Sequence, residues 1–174
     1  SDSGNNLITD PFDESVGYPM PDLDCDVVTV SHEHHDHNHL GNIRADLVVR
    51  EDRARAAGFD IAAVHTFHDA QGGKKRGANR AYKISADGIT ILHLGDLGHD
   101  PSPSQYAQMA GADVLLLPVG GYYTIDAEIA WKITGTLKPG IVIPMHYKTP
   151  YIQFPIAGAE GYLALAGPAG RGMA

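Results

Sequence analysis

Four apolar stretches of this chain each run straight into a side chain that can hold a metal ion. V-V-T-V-S (27–31) leads into His32, I-A-A-V-H-T-F (61–67) into His68, I-T-I-L-H-L-G (89–95) into Asp96, and I-V-I-P-M (141–145) into His146. Short apolar, β-branched runs bounded by turn residues such as Asp87-Gly88 and Pro139-Gly140 read as buried strands. Loops at the ends of neighbouring strands converge on one edge, where α/β folds assemble their sites. Four such coincidences constrain the chain to a fold that gathers those ends.

The rest of the chain fits that frame. Asp26–Ser31, Ile61–Val64, Ala81–Ser85, Ile89–Leu94, Asp113–Leu117 and Ile141–Pro144 read as strands, with Asp87-Gly88 turning one into the next. Glu51–Gly58 reads as a short helix closed by its glycine. Pro103–Ala110 reads as a second helix. Ile125–Leu137 reads as a third, with apolar residues at 125, 129, 130 and 133 and with Asp126 and Glu128 in its first turn. The Ala- and Gly-rich tail reads as one helix over 157–166 and then a frayed end. Strands alternating with helices predict a layered α/β domain, one domain over residues 1–174.

Bulk properties exclude several classes. A formal charge of −8 argues against a nucleic-acid surface, which needs a basic face. No apolar run is long enough to span a membrane, so no membrane partner is expected. Cys25 is alone, which leaves no disulfide framework and makes a reducing, cytoplasmic location the expectation. No secretory leader is visible at the N-terminus. The expected partner is a small molecule, and a homo-oligomer is compatible with these numbers. Histidine is the outlier, with ten copies.

Five of them fall in S-H-E-H-H-D-H-N-H (31–39). Such a cluster can be a tag-like tract, a pH-sensing patch or a set of metal ligands. His32, His34 and Asp36 are spaced i, i+2, i+4, which places them on one side of extended backbone. A helix would turn His32 and His34 roughly 200° apart. The segment should therefore leave its strand extended and then turn, so that Asp36 and His37 both face inward. Glu33, His35 and His39 fall off that pattern and should point away. A solvated tract needs no aspartate at one slot, so the metal-ligand reading is preferred.

H-x-H-x-D-H (32–37) resembles the signature of the metallo-β-lactamase superfamily. T-D-P-F (9–12) resembles its first motif, in which an aspartate, here Asp10, braces the metal loop. V-H-T-F-H places His68 at the third motif, H-L-G-D places Asp96 at the fourth, and I-V-I-P-M-H-Y-K-T places His146 at the fifth. L-L-L-P-V-G-G-Y-Y-T-I-D and I-P-M-H-Y are similar to the branch of small bacterial hydrolases that includes ascorbate-6-phosphate lactonase. The similarity runs from about residue 7 to residue 157. Proteins of this kind usually carry two strands before T-D-P-F and continue past a tail like this one. The expectation is a domain lacking its first strands and its C-terminal end, with one exposed sheet edge.

The resemblance implies a four-layer αβ/βα sandwich and a metal-dependent hydrolase with two divalent ions. One ion would take His32, His34 and His68. The other would take Asp36, His37 and His146, and Asp96 would bridge both. Nitrogen and oxygen ligands suit zinc, and the branch resemblance adds manganese. Two divalent ions against two aspartates and a hydroxide leave a net positive site, which favours an anionic or carbonyl-bearing substrate. The expected reaction is attack by the metal-held hydroxide on a lactone or ester of an anionic small molecule, with Asp36 as the catalytic residue that orients it. The alternatives are a phosphodiesterase on the same site and a catalytically silent metal-binding protein. Just after His68, Lys74, Lys75, Arg76 and Arg80 form a basic, glycine-rich stretch that could fold over the site and grip an anion, or could be plain surface. His93 beside Asp96 reads as a strand-interior or supporting residue.

Overall fold

The computed structural model describes residues 1–167. The expected frayed end, from residue 168 on, lies outside the described residues. Among the described residues, nine strands form two sheets. In the smaller, β2 (Leu23–Thr29) lies between β1 (Leu7–Thr9) and β3 (Ile43–Val49), all parallel. In the larger, β4 (Arg53–Ala56), β5 (Phe59–Phe67), β6 (Ala78–Ala86), β7 (Ile89–His93), β8 (Val114–Pro118) and β9 (Ile141–Met145) lie side by side in chain order. The first four are antiparallel, with tight turns between β4 and β5 and between β6 and β7 and a longer loop, 68–77, between β5 and β6. The last three are parallel, with α1 (Pro103–Met109) and α2 (Ala127–Leu137) lying in the two connections, as parallel strands require.

Side-chain alternation sorts the core into layers. Val27, Val49, Phe59, Ile61, Tyr82 and Ile84 pack between the sheets. The Tyr82 hydroxyl reaches the Val30 carbonyl at 3.3 Å, so the buried phenol has an acceptor. On the far side of the larger sheet, Leu92, Leu115 and Leu117 pack with Met109, Ile133 and Tyr162 from α1, α2 and α3 (Glu160–Ala166). Cys25, Val28, Val30 and Ile43 form the outer face of the smaller sheet, beneath Met20 and Leu40. The expected α/β sandwich is present.

Local chemistry explains the helix ends. Ser102 and Gln105 form a reciprocal capping box around Pro103, and Asp126 caps α2 by accepting from the Ile129 N–H at 2.9 Å. One expected element is corrected. Glu51–Gly58 is no helix: Arg53–Ala56 is a strand that pairs antiparallel with β5, its arginines toward solvent and its alanines inward. Ala57 and Gly58, with φ of 51° and 81°, make the turn. The good helix propensity of Ala and Arg lost to cross-strand pairing, the usual tertiary override. The strands β1 and β3 were not expected. β9 ends the larger sheet, and Ile141 and Ile143 on its uncovered face are 57% and 47% exposed.

Candidate metal centre

The ends of β1, β2, β5, β7 and β9 deliver Asp10, His32, His68, Asp96 and His146 to one place. The buried Asp96 carboxylate is the hub. His68 Nε2 lies 3.1 Å from Oδ2, His146 Nε2 3.5 Å and His32 Nε2 4.0 Å, while His37 Nε2 lies 3.3 Å from Oδ1. Two groupings in the described residues place donor atoms close enough to share an ion: His32 with His34 and His68, and His37 with Asp96 and His146. A third joins Asp10, His32 and His37.

Each donor is held from behind. Asp10 adopts φ 44° and accepts from the Ser31 N–H at 2.7 Å, from the Ser31 hydroxyl and from His37 Nδ1 at 3.0 Å. Because the Ser31 hydroxyl gives its proton to Asp10, its oxygen accepts from His32 Nδ1–H at 2.8 Å. That hydrogen bond selects the tautomer with a bare lone pair on Nε2, the form a metal needs. The chain leaves β2 extended and then turns, with the His37 N–H bonded to the His34 carbonyl at 3.0 Å. Glu33 points outward to Arg50, and His35 is exposed. His39 departs from the expectation of full exposure: it is half-buried, its ring against Gly41.

Asp96 is fixed by a residue that sequence reasoning did not single out. The buried Asn79 side chain accepts from the Asp96 N–H at 3.0 Å and donates to the Leu94 carbonyl and to Thr66 Oγ1. An asparagine two residues before the apolar Ala81, and so on the same inward face of the strand, was the available signal. At the far side of the cluster, His146 adopts φ 51°, and a Cβ on Gly120 would lie 2.2 Å from its carbonyl oxygen. Only glycine permits that approach.

The residues fit a metal. His32 Nε2 and Asp96 Oδ1 are buried without a hydrogen-bond partner, although buried polar atoms are nearly always satisfied. Burial lowers the His32 pKa to about 4, with the His37 charge adding to the effect, and burial also lowers that of His34. Both imidazoles are therefore neutral at neutral pH and ready to ligate. His37 goes the other way. Burial opposes its charge, but Asp96 and Asp10 outweigh it and hold the pKa well above the ordinary value. Burial likewise opposes ionisation of Asp96, yet His37 and His146 keep it well below the usual carboxylate range. A chain that concentrates such perturbed groups at one strand-end cluster marks a functional site.

The expected substrate residues separate. Asp36 lies 3.8 Å from His37 Nε2 and faces the cavities that reach the centre. Arg76 lines a mouth of about 340 Å³ together with His34, His68, His146 and Tyr123. Its guanidinium stacks 5.3 Å over the Tyr123 ring and donates to the Tyr122 carbonyl at 3.2 Å. Lys74 and Lys75 are exposed and line no part of this mouth, and Arg80 sits on β6 with Nε 3.9 Å from Asp52. The loop that carries Arg76 is folded around Asp69, which was also not singled out. Its carboxylate accepts from the N–H groups of Gln71, Gly73, Lys75 and Arg76 at 2.7–3.0 Å. Desolvation works against the charge, but those four donors hold the pKa down at about 2. His93, read as strand-interior, is buried on β7 near Asp10 and Asp96, with Nδ1 unpartnered.

Comparison with known proteins agrees with this geometry. A family model described as a beta-lactamase superfamily domain matches residues 1–146. A UPF0173 metal-dependent hydrolase of Staphylothermus marinus is 31% identical over 172 residues, covering 82% of this chain and 74% of the relative. One from Pyrococcus furiosus is 30% identical over 179 residues, covering 85% and 80%. A crystal structure from Thermotoga maritima, of a candidate Zn-dependent hydrolase of the metallo-beta-lactamase superfamily, superposes with a TM-score of 0.77 at 38% identity, covering 93% of this chain and 77% of that one. With five strand ends gathered on one histidine and aspartate cluster, this chain belongs to the beta-lactamase superfamily and, within it, to the UPF0173 metal-dependent hydrolases.

Proposed function

We propose that this protein uses two divalent ions, zinc or manganese, to hydrolyse a lactone or ester bond in an anionic small molecule. The observation that carries the reading is Asp96, a single buried carboxylate with four imidazole Nε2 atoms at 3.1–4.0 Å. One carboxylate so placed suits a bridge between one ion on His32, His34 and His68 and another on Asp36, His37 and His146. Bound ions of this type polarise the carbonyl as Lewis acids and make water nucleophilic at neutral pH.

The chain's own residues do the rest. Asp36, reaching the site from the turn after β2, accepts a hydrogen bond from the attacking water and aims it. Asp10 and Ser31 keep the His37 and His32 rings from rotating, and Asn79 keeps Asp96 from shifting. Arg76 is the one member of the basic stretch that lines the metal mouth, so it holds the anionic part of the substrate through donors that the Tyr122 carbonyl leaves free. Tyr123 backs the guanidinium and limits its rotation.

The similarity of L-L-L-P-V-G-G-Y-Y-T-I-D and I-P-M-H-Y to the ascorbate-6-phosphate lactonase branch supports a lactone within this class. The test is a panel of lactones, carboxylate-bearing esters and phosphodiesters, incubated with protein reconstituted in parallel with Zn²⁺ and Mn²⁺. Turnover of anionic lactones or esters above the other classes supports the reading. Turnover of phosphodiesters alone would assign the other bond, and no turnover with metal bound would make the centre a metal store.

A further inference from the structure

Two cavities reach the candidate centre, and they differ in the side chains that line them beyond it. The mouth carrying Arg76 lies on one side. A second cavity of about 320 Å³ lies on the other, and both are lined by Asp36, Asp96, His146 and Phe154. Apart from the centre itself, the second cavity is walled by Phe12, Val16, Tyr18, Leu116, Ile152 and Ile156.

This chamber is built by contacts between separate segments. The Tyr18 hydroxyl bonds Thr149 Oγ1, and the Tyr18 and Tyr151 rings lie 5.4 Å apart. Gly17, at φ 102°, runs so close to the Tyr151 carbonyl that a Cβ would stand 2.3 Å from its oxygen. Lys148 Nζ donates to the Phe154 carbonyl at 2.8 Å, closing the 148–154 turn that forms one wall. Of the polar groups that reach the chamber, Asp10 is engaged by Ser31 and His37, and Tyr18 by Thr149. Outside the centre, His93 Nδ1 is buried without a partner, and burial lowers the pKa of this imidazole. The charged groups that line it lie at the centre, where Asp10 and His37 face each other, so the wall beyond the centre carries no charge, and water against that wall gains few hydrogen bonds.

We propose that the second cavity is an apolar subsite and that the substrate is amphipathic. Its alkyl or acyl arm fills the chamber, its ester or lactone bond lies at Asp36, Asp96 and His146, and its carboxylate or phosphate rests on Arg76. Water adds across the acyl C–O bond, giving a carboxylic acid and an alcohol with no change of oxidation state. The proposal rests on the hydrolase reading above and narrows its substrate class.

Monoalkyl succinates from methyl to octyl test it, because each holds one carboxylate and one ester at fixed spacing from a graded alkyl arm. With metal-loaded protein, kcat/KM should rise about four-fold per added methylene until the chamber is full. Ile152→Trp, which fills the chamber from its half-exposed wall, should flatten that rise. Calorimetric titration of monooctyl and monomethyl succinate into chelator-treated protein gives a readout independent of turnover. The octyl ester should bind more tightly, and Ile152→Trp should remove the difference. Metal-dependent hydrolysis that is indifferent to chain length would overturn the chamber assignment and leave the hydrolase reading standing. If no ester is hydrolysed, the hydrolase reading fails, and equal binding of the two esters would overturn the chamber as well.

Discussion

Asp10 Oδ2 accepts from His37 Nδ1 at 3.0 Å, and His37 Nε2 in turn faces Asp96 at 3.3 Å. In the metal-free protein the ring therefore lies between two carboxylates, and it holds a proton on each nitrogen at neutral pH. A metal at Nε2 must displace one of those protons. His32 and His34 have lowered pKa values, so each is a neutral imidazole at pH 7 and has no charging proton to give up.

It follows that metal uptake at pH 7 releases a proton from His37 in addition to the one lost by a metal-activated water, so affinity climbs as pH rises toward the His37 pKa. Calorimetry of metal binding in buffers of different ionisation enthalpy counts the protons released. Asp10→Asn removes one of the charges that raise the His37 pKa, so proton release should drop, and metal affinity should fall about 10- to 100-fold because the ring is less well oriented. An unchanged proton count in Asp10→Asn would contradict the assignment.

Asn79 is buried, and its side chain makes three hydrogen bonds that tie β6 to the Thr66 hydroxyl, the Leu94 carbonyl and the Asp96 N–H. Asn79→Ala strands the Asp96 N–H and the Leu94 carbonyl and should cost about 1–3 kcal/mol of stability. Thermal unfolding measures the loss. Metal content should fall in the same variant under conditions where it remains folded, because the loop that presents Asp96 loses its anchor.

Arg76 and Asp69 should behave as one unit. Arg76→Ala removes the grip on the anion and should raise KM for an anionic ester about ten-fold or more, with kcat and metal content little altered. Asp69→Ala releases the four N–H groups that shape the loop and should raise KM in the same sense while making residues 70–77 more sensitive to limited proteolysis. The two changes together should cost less than the sum of their separate effects, since Asp69 acts through Arg76. Lys74→Ala, remote from the mouth, serves as the control.

The residues that gather at the centre were legible in the sequence because they lie next to one another in the chain or follow apolar strands whose type is plain. His32, His34, Asp36 and His37 needed only a change from extended backbone to a turn. The supporting residues were harder to read, because Asn79 reaches Asp96 across a strand pair and Asp69 acts through backbone donors that any residue can offer. β4 was misread because a four-residue Arg-Ala alternation matches a helical composition until its partner strand is known. The apolar chamber left no local trace: Phe12, Tyr18, Leu116 and Ile152 come from separate segments that meet only when the sheets close. The basic stretch showed its charge but not its direction, and only Arg76 among its members turned to the centre.

On the proposed reading, the centre gathered on Asp96 holds two ions and hydrolysis depends on them. The most direct measurement starts from chelator-treated protein and follows the initial rate of hydrolysis of an anionic ester as Zn²⁺ or Mn²⁺ is added back, with bound metal determined at each point. The rate should rise from the uncatalysed level and saturate near about two ions per chain, and Asp96→Ala should neither hold the second ion nor recover the rate. Full activity in the chelated protein, or two tightly bound ions in Asp96→Ala, would contradict it.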